Sequence, residues 1–201
     1  MNATPESRLT RKDETREALV DHALRLFEER GFSEVTTDEI ARAAGVTQRT
    51  FFRHFPSKEA AAFGDHQRLQ ALVRLAFNGR PDGESPLTSV REAILALADE
   101  YEARRAFYVR QLRLARSEPP LAGYARSALQ ASWEETLTEL VAARLEADPA
   151  VDLRPGVIAA AAVGALRSAS AVWLARGARD SLIDLSNEAL NLLGHFGLGR
   201  D

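Results

Sequence analysis

The sequence contains no cysteine. The chain can therefore form no disulfide, carry no catalytic thiol and hold no cysteine-ligated metal, as expected in a reducing compartment. Long apolar runs are missing as well. The most apolar stretch, Val157–Leu166, has 10 residues, whereas a helix that spans a bilayer needs about 20. These absences predict a soluble, cytoplasmic protein with no membrane partner.

A strong excess of one charge is also absent. The 201-residue chain has 26 lysine and arginine residues against 29 aspartate and glutamate residues, a net charge of −3. Such a chain does not bind nucleic acid through its overall charge, so any binding of this kind requires a local basic patch. Hydrophobic residues make up 45% of the chain, which is enough to form a buried core.

Catalytic motifs are scarce. The four histidines, at positions 22, 54, 66 and 195, show neither the HExxH nor the Glu-x-x-His spacing of metal-binding helices. The chain has no glycine-rich phosphate loop and no nucleophile elbow. We therefore expect no enzymatic activity, no cofactor and no metal site.

The periodicity of the chain is helical almost throughout, and strand-like alternation never extends beyond four residues. We predict an all-α protein of about nine helices. A head of three helices occupies residues 1–57, together with an N-terminal arm. A long fourth helix, Lys58–Phe77, joins this head to a C-terminal helical bundle, and residues 58–201 form the second domain.

Two short helices joined by a tight turn make up the most specific motif. Thr36 followed by Glu39 is a capping box that begins the first of them. Gly45 permits the positive φ of a tight turn, and Thr47 caps the second helix. This arrangement is typical of a helix-turn-helix, whose second helix lies in the DNA major groove. The exposed positions of that helix are Gln48, Arg49, Thr50 and Arg53.

Residue types and local charge favour DNA binding by this motif. Arginine reads guanine and glutamine reads adenine, each through two hydrogen bonds. Four basic residues and no acidic one lie between positions 42 and 58, in a chain that is acidic overall. The alternative is an ordinary helical corner whose charges are merely solvated.

Residues Ile40–Glu59, which read IARAAGVTQRTFFRHFPSKE, resemble the signature of the tetracycline-repressor (TetR) family. The resemblance covers residues 11–62, and it implies phosphate contacts from Thr37, His54 and Lys58. The family usually has Tyr at the position of Phe52, so a phosphate contact is lost there while the ring can still pack on the DNA backbone. The residues expected at the DNA interface are Thr37, Thr47, Gln48, Arg49, Thr50, Phe52, Arg53, His54 and Lys58.

The resemblance also implies a mode of action. Members of this family are dimers whose C-terminal helices bind a small ligand, and ligand binding releases the protein from DNA. They usually repress transcription at a palindromic operator. The expected partners are therefore double-stranded DNA, a second copy of the chain and a small-molecule effector. The alternative is a helical protein–protein interaction module without specific DNA binding.

The last helix carries a pattern that favours dimerisation. Its apolar residues step by three and four positions, as in a coiled-coil seam. The alternative is a helix buried within one subunit. The predicted interface residues are Leu182, Leu185, Ala189, Leu192 and Phe196.

The ligand site is harder to predict. Large or polar side chains of the middle helices are candidates, although each of them taken alone is more typical of plain core or surface. Five arginines between Arg104 and Arg116 could clamp an anionic end of a largely apolar ligand or form a solvated face. The candidate ligand-binding residues are Tyr101, Phe107, Tyr108, Gln111, Trp133 and Arg167.

Overall fold

The computed structural model describes the backbone of residues 5–194 and the side chains of residues 12–194. Every regular element in this range is a helix, which confirms the predicted all-α fold. The α-helices are α1 (Pro5–Arg30), α2 (Thr37–Ala43), α3 (Gln48–His54), α4 (Lys58–Ala62), α5 (His66–Asn78), α6 (Pro86–Ala103), α7 (Arg105–Ser117), α8 (Pro119–Tyr124), α9 (Gln130–Leu145), α10 (Leu153–Ala175) and α11 (Leu182–Leu193). A π-helical turn, Ala125–Leu129, separates α8 from α9.

Two of the predicted helices are each divided in the structure. The predicted helix Lys58–Phe77 is interrupted between α4 and α5. Gly64 lies at this break and packs closely, because a Cβ atom there would lie 2.2 Å from Cγ2 of Val20 and 2.7 Å from the ring of Phe55. The apolar periodicity of the sequence also predicts a single helix from Pro119 to Leu145, and the π-helical turn divides it. The described part of the chain therefore has more helices than the predicted nine.

The chain divides into two compact units, the first of residues 1–67 and 110–124 and the second of residues 68–109 and 125–201. The first unit thus extends beyond the predicted DNA-binding domain of residues 1–57. Its core is formed by apolar side chains of α1 to α4 and of the segment around α8. Among these buried residues are Leu19, Leu24, Phe27, Ile40, Phe51, Phe55, Ala61 and Leu121.

The second unit has its own core, built from helices α5, α6, α9 and α10 and from the first residues of α7. Burial of these side chains is the main force that holds the unit together. Its fully or nearly fully buried members include Val73, Phe77, Leu97, Tyr108, Leu137, Val141 and Ala159.

Helix α10 is longer than the apolar run seen in the sequence. It has 23 residues and is apolar enough to cross a membrane by length and composition alone. In the structure it packs against α6, α9 and α11, and small residues such as Ala159, Ala162 and Ala165 are buried along it. These buried positions pack within the second unit, whereas Val157 and Val172 on the same helix are exposed.

Candidate nucleic-acid interface

The turn between α2 and α3 has the geometry that the sequence predicts. The side chain of Thr36 accepts a hydrogen bond from the backbone of Glu39, and the carboxylate of Glu39 accepts one from the backbone of Thr36. Gly45 has a φ of +70°, where a residue with a Cβ would be strained. The N–H of Val46 then donates to the carbonyl of Ala41 over 2.9 Å. These local contacts hold α2 and α3 in the helix-turn-helix arrangement.

The N-terminus of α3 is capped by Thr47. Its hydroxyl oxygen accepts a hydrogen bond from the backbone N–H of Thr50 over 3.2 Å. The side chain of Gln48 donates from Nε2 to the hydroxyl oxygen of Thr37 over 2.9 Å. The capped end of α3 is thereby tied to the start of α2.

Helix α3 has one buried face and one exposed face. Phe51 is fully buried and Phe55, just after the helix, is 1% exposed, so these two residues belong to the core of the head. Phe52 is 50% exposed and meets the ring of Phe51 edge-on. The exposed polar positions at and along the helix are Thr47, Gln48, Arg49 and Arg53, with Thr50 half-buried.

The basic residues of the head do not all remain available for DNA. Arg42 forms an ion pair with Asp38 on the same helix. Arg49 and Arg53 are both exposed, and neither pairs with a carboxylate among the residues whose side chains are described. The positive charge at α3 is therefore concentrated on these two arginines.

Glu39 links α2 to the end of α1. Its carboxylate accepts a hydrogen bond from the backbone N–H of Thr36 over 2.9 Å and another from Arg30 over 2.7 Å. These bonds, the one from Thr36 first, lower the pKa of Glu39 to about 2. The carboxylate is therefore ionised at neutral pH and completes both the helix cap and the contact with α1.

Lys58 is held inside the first unit. Its ammonium group donates to the carbonyl of Phe32 over 2.8 Å and to the carbonyl of Val35 over 3.0 Å. It also lies 4.2 Å from the centre of the Phe32 ring. An ammonium group has three N–H donors. Two of them are used here, so only one is left for the predicted phosphate contact in this conformation. The sequence did not reveal this structural role.

His54 is more enclosed than its predicted phosphate contact requires. Its side chain is 8% exposed, and Nδ1 has no hydrogen-bond partner within the part of the chain that the structure describes. Burial and then the charge of Arg53 lower the pKa of His54, so the ring is neutral at pH 7. Arg16 of α1 donates to the backbone carbonyls of His54 and Gly64 over 2.9 and 2.7 Å, which fixes the end of α3 to α1.

The predicted dimer residues differ in their surroundings. Leu182 is fully buried within its own chain, whereas the predicted dimer interface needs side chains that a partner subunit can reach. Apolar residues spaced three and four positions apart along a helix can face either a partner subunit or the subunit's own core, and the spacing alone does not distinguish the two. Leu185 and Ala189 are half-buried, and Leu192 is 54% exposed. Phe196 lies outside the described residues.

The six predicted ligand residues have different surroundings. Tyr108 is fully buried and its ring stacks on that of Tyr101, with centres 4.1 Å apart. Phe107 and Trp133 pack against the same core. Arg167 is exposed on α10. Gln111 belongs to the first unit, where its amide donates to the carbonyl of Ala62 over 2.8 Å.

Three of the five arginines between Arg104 and Arg116 make contacts within their own unit. In the second unit, Arg104 lies over the ring of Phe107 at 4.6 Å, and Arg105 donates to the carbonyl of Ala178 over 2.6 Å. In the first unit, Arg110 pairs with Asp21 and Glu28 on α1. These side chains serve internal contacts that their spacing in the sequence does not reveal.

Comparison with known proteins agrees with this geometry. The family model described as bacterial regulatory proteins of the tetR family matches residues 19–60, which contain the helix-turn-helix. The model described as the MftR C-terminal domain matches residues 84–196. The chain belongs to the TetR family. It is therefore a DNA-binding transcriptional regulator. Its relatives are named as transcriptional regulators, and their names give no support to an enzymatic function.

Individual TetR-family proteins resemble most of the chain. MftR of Mycobacterium tuberculosis, named as a mycofactocin biosynthesis transcriptional regulator, is 30% identical over 92% of this chain and 91% of its own length. TcmR of Streptomyces glaucescens is 33% identical over 83% of this chain and 76% of its own. The crystal structure of Thermus thermophilus FadR, a repressor in complex with lauroyl-CoA, has 27% identity, a TM-score of 0.54 and coverage of 89% and 92% of the two chains.

Proposed function

We propose that this TetR-family regulator is a cytoplasmic repressor that binds a palindromic operator as a homodimer. A small-molecule effector, largely apolar, binds in residues 58–201 and releases the protein from DNA. Residues 1–57 carry the DNA-binding function. In this proposal the recognition helix is α3, and no catalytic step is involved.

The observation that carries the proposal is the exposed N-terminal half of α3. Gln48 and Arg49 follow the N-cap residue Thr47 and are exposed, while Phe51 on the opposite face is buried in the core. Arginine and glutamine at the start of a recognition helix can each form two hydrogen bonds with a base edge. The guanidinium of an exposed arginine is hydrated in the free protein. It can form hydrogen bonds with guanine or phosphate when the protein binds DNA.

The dimer is supported by the exposed apolar surface of α11. Leu192 is 54% exposed on a helix whose opposite side is buried. Two copies related by a twofold axis would cover the same patch on each other. A symmetric dimer then presents two copies of α3, and this symmetry calls for an inverted repeat in the DNA.

The effector is supported by a relative at 27% identity, FadR, whose crystal structure contains lauroyl-CoA. A ligand can lower DNA affinity only if it binds more tightly to a conformation that does not bind DNA. By the same linkage, DNA must weaken the affinity for the ligand by the same factor. The coupling is therefore measurable from either side.

A gel shift with the DNA upstream of the protein's own coding sequence tests the proposal, at about 50 and 200 mM salt. We expect a discrete complex that an excess of unrelated DNA does not remove. Arg49→Ala should weaken it by about 1–3 kcal/mol. The matched control is Arg113→Ala, which removes an exposed arginine on α7 of the first unit and should leave the complex unchanged.

Equal retention of specific and unrelated DNA would contradict the proposal. So would equal losses from Arg49→Ala and Arg113→Ala, because the binding would then follow charge alone. Absence of any complex with either DNA would instead favour a helical protein–protein interaction module.

A further inference from the structure

A cavity of about 300 Å³ lies in the second unit between α6, α10 and α11. None of the six ligand residues predicted from the sequence lines it. Its walls are largely apolar and include Leu87 on α6, Ile158 on α10 and Leu190 and Leu193 on α11. A cavity of this size holds the volume of roughly ten water molecules, and binding cavities begin at about 300 Å³.

Arg91 brings a positive charge to this apolar cavity. Its two terminal nitrogens donate to the side-chain oxygens of Asn187 and Asn191 on α11. These partners are neutral amides one helical turn apart. They orient the guanidinium without neutralising it, and it retains N–H groups for a further acceptor.

The charge of Arg91 has no carboxylate partner among the side chains that the structure describes. Other arginines of the second unit are paired, for example Arg74 with Glu139 over 2.7 Å and Arg68 with Glu100 over 2.6 Å. An oriented guanidinium beside an apolar cavity is complementary to a carboxylate that carries a hydrocarbon group.

We propose that this cavity is the effector site and that it takes a small amphipathic monocarboxylate, with the carboxylate on Arg91 and the hydrocarbon between α6, α10 and α11. Because it assigns the effector to this cavity, the inference rests on the proposed function. The apolar walls exclude water from the hydrocarbon part. The volume limits the ligand to about ten non-hydrogen atoms, and Val157, which is 48% exposed, becomes covered when the cavity is filled.

Isothermal titration of the full-length protein with octanoate and with octanamide tests the site. The two probes have the same length and the same number of non-hydrogen atoms, and they differ in charge. We expect octanoate to bind about tenfold more tightly than octanamide, because hydrogen bonds to a charged acceptor are the stronger ones. Arg91→Gln should remove this preference and leave octanamide binding unchanged, whereas Arg91→Lys should retain part of it.

Two controls separate the site from general effects. Arg74→Gln removes a paired arginine of the same unit and should change neither affinity. Ala161→Phe places a large ring on a wall of the cavity and should abolish binding of both probes. Thermal unfolding of each variant shows whether it is folded, and Arg91→Lys keeps the test decisive if Arg91→Gln is not.

Equal affinities for octanoate and octanamide in the wild type would overturn the inference, as would an octanoate preference that survives Arg91→Gln. Failure of the wild type to bind octanoate would also overturn it, and a second copy of the chain would then be the better candidate to cover the cavity. The gel shift is read separately. A protein that binds its operator but not octanoate contradicts only this inference, whereas one that binds octanoate but no DNA contradicts the proposed function.

Discussion

Gln48 on α3 donates a hydrogen bond from Nε2 to the hydroxyl oxygen of Thr37 on α2, over 2.9 Å. The bond takes one N–H of the amide and leaves the other N–H and Oε1 available. Recognition of adenine requires one donor and one acceptor. Thr37 therefore orients Gln48 without occupying the groups that would read a base.

Thr37→Val tests this orientation, because valine keeps the shape of threonine and removes the acceptor. On the preferred DNA site, Gln48→Ala should lose about 1–3 kcal/mol of binding free energy, and Thr37→Val should lose less. The double variant should lose no more than Gln48→Ala alone, because the two residues act through one contact. Fluorescence anisotropy titrations measure all three. Additive losses would instead indicate that Thr37 contacts phosphate independently of Gln48.

The parts of the head that the sequence predicted correctly depend on local signals. The capping box at Thr36 and Glu39, the glycine in the turn and the cap at Thr47 each act within a few residues. At the division between α4 and α5, Gly64 packs closely against Val20, which is distant in the chain. No local sequence pattern predicts such a contact.

Two features of the predicted site residues that the sequence did not reveal share the same cause. The ammonium of Lys58 binds carbonyls that lie 23 and 26 residues away in the chain, so its internal role has no signature in the motif. Leu182 and Leu192 belong to one apolar pattern, yet the first is fully buried and the second is 54% exposed. Only the packing of α11 against α6 and α10 distinguishes them.

Lys58→Met separates an internal role of Lys58 from a phosphate contact. Methionine keeps the apolar stem and removes the ammonium, so the carbonyls of Phe32 and Val35 lose their donor. We expect the free energy of unfolding to fall by about 1–3 kcal/mol, measured by urea denaturation. Lys12→Met, at an exposed position on α1, should have little effect. An unchanged stability, together with a slope of log K against log salt reduced by about 1, would show that Lys58 acts mainly on DNA.

Leu192→Glu should dissociate the proposed homodimer without unfolding the subunit. The side chain is 54% exposed in the single chain, so a carboxylate there is solvated in the monomer and buried only in the dimer. The unpaired charge should cost on the order of 3–5 kcal/mol of association free energy. Leu182→Ala is the matched control, because Leu182 is fully buried and its truncation should lower stability. Sedimentation at micromolar concentration measures the oligomeric state of each variant. An intact Leu192→Glu dimer would show that the interface lies elsewhere.

The stability of the protein should depend on pH through His54. Burial, followed by the charge of Arg53, lowers the pKa of this histidine in the folded protein. The unfolded chain therefore binds a proton more readily, and the contribution of His54 is complete above its ordinary pKa of about 6.5 and is lost as the pH falls below it. His54→Gln should remove this part of the pH dependence in thermal unfolding between pH 7 and 5. Identical pH dependence of the two proteins would contradict the assignment.

In the proposed dimer, two copies of α3 read an inverted repeat of the DNA sequence. Selection of binding sites from a random DNA library by the wild-type protein measures this property. We expect the recovered sequences to share an inverted repeat whose half-site centres lie about one helical turn, or a multiple of it, apart. Arg49→Ala should lose discrimination at one base pair in each half-site. Recovery of sequences without a repeat, or the same sequences recovered equally well by Arg49→Ala, would show that two copies of α3 do not read the DNA in this way.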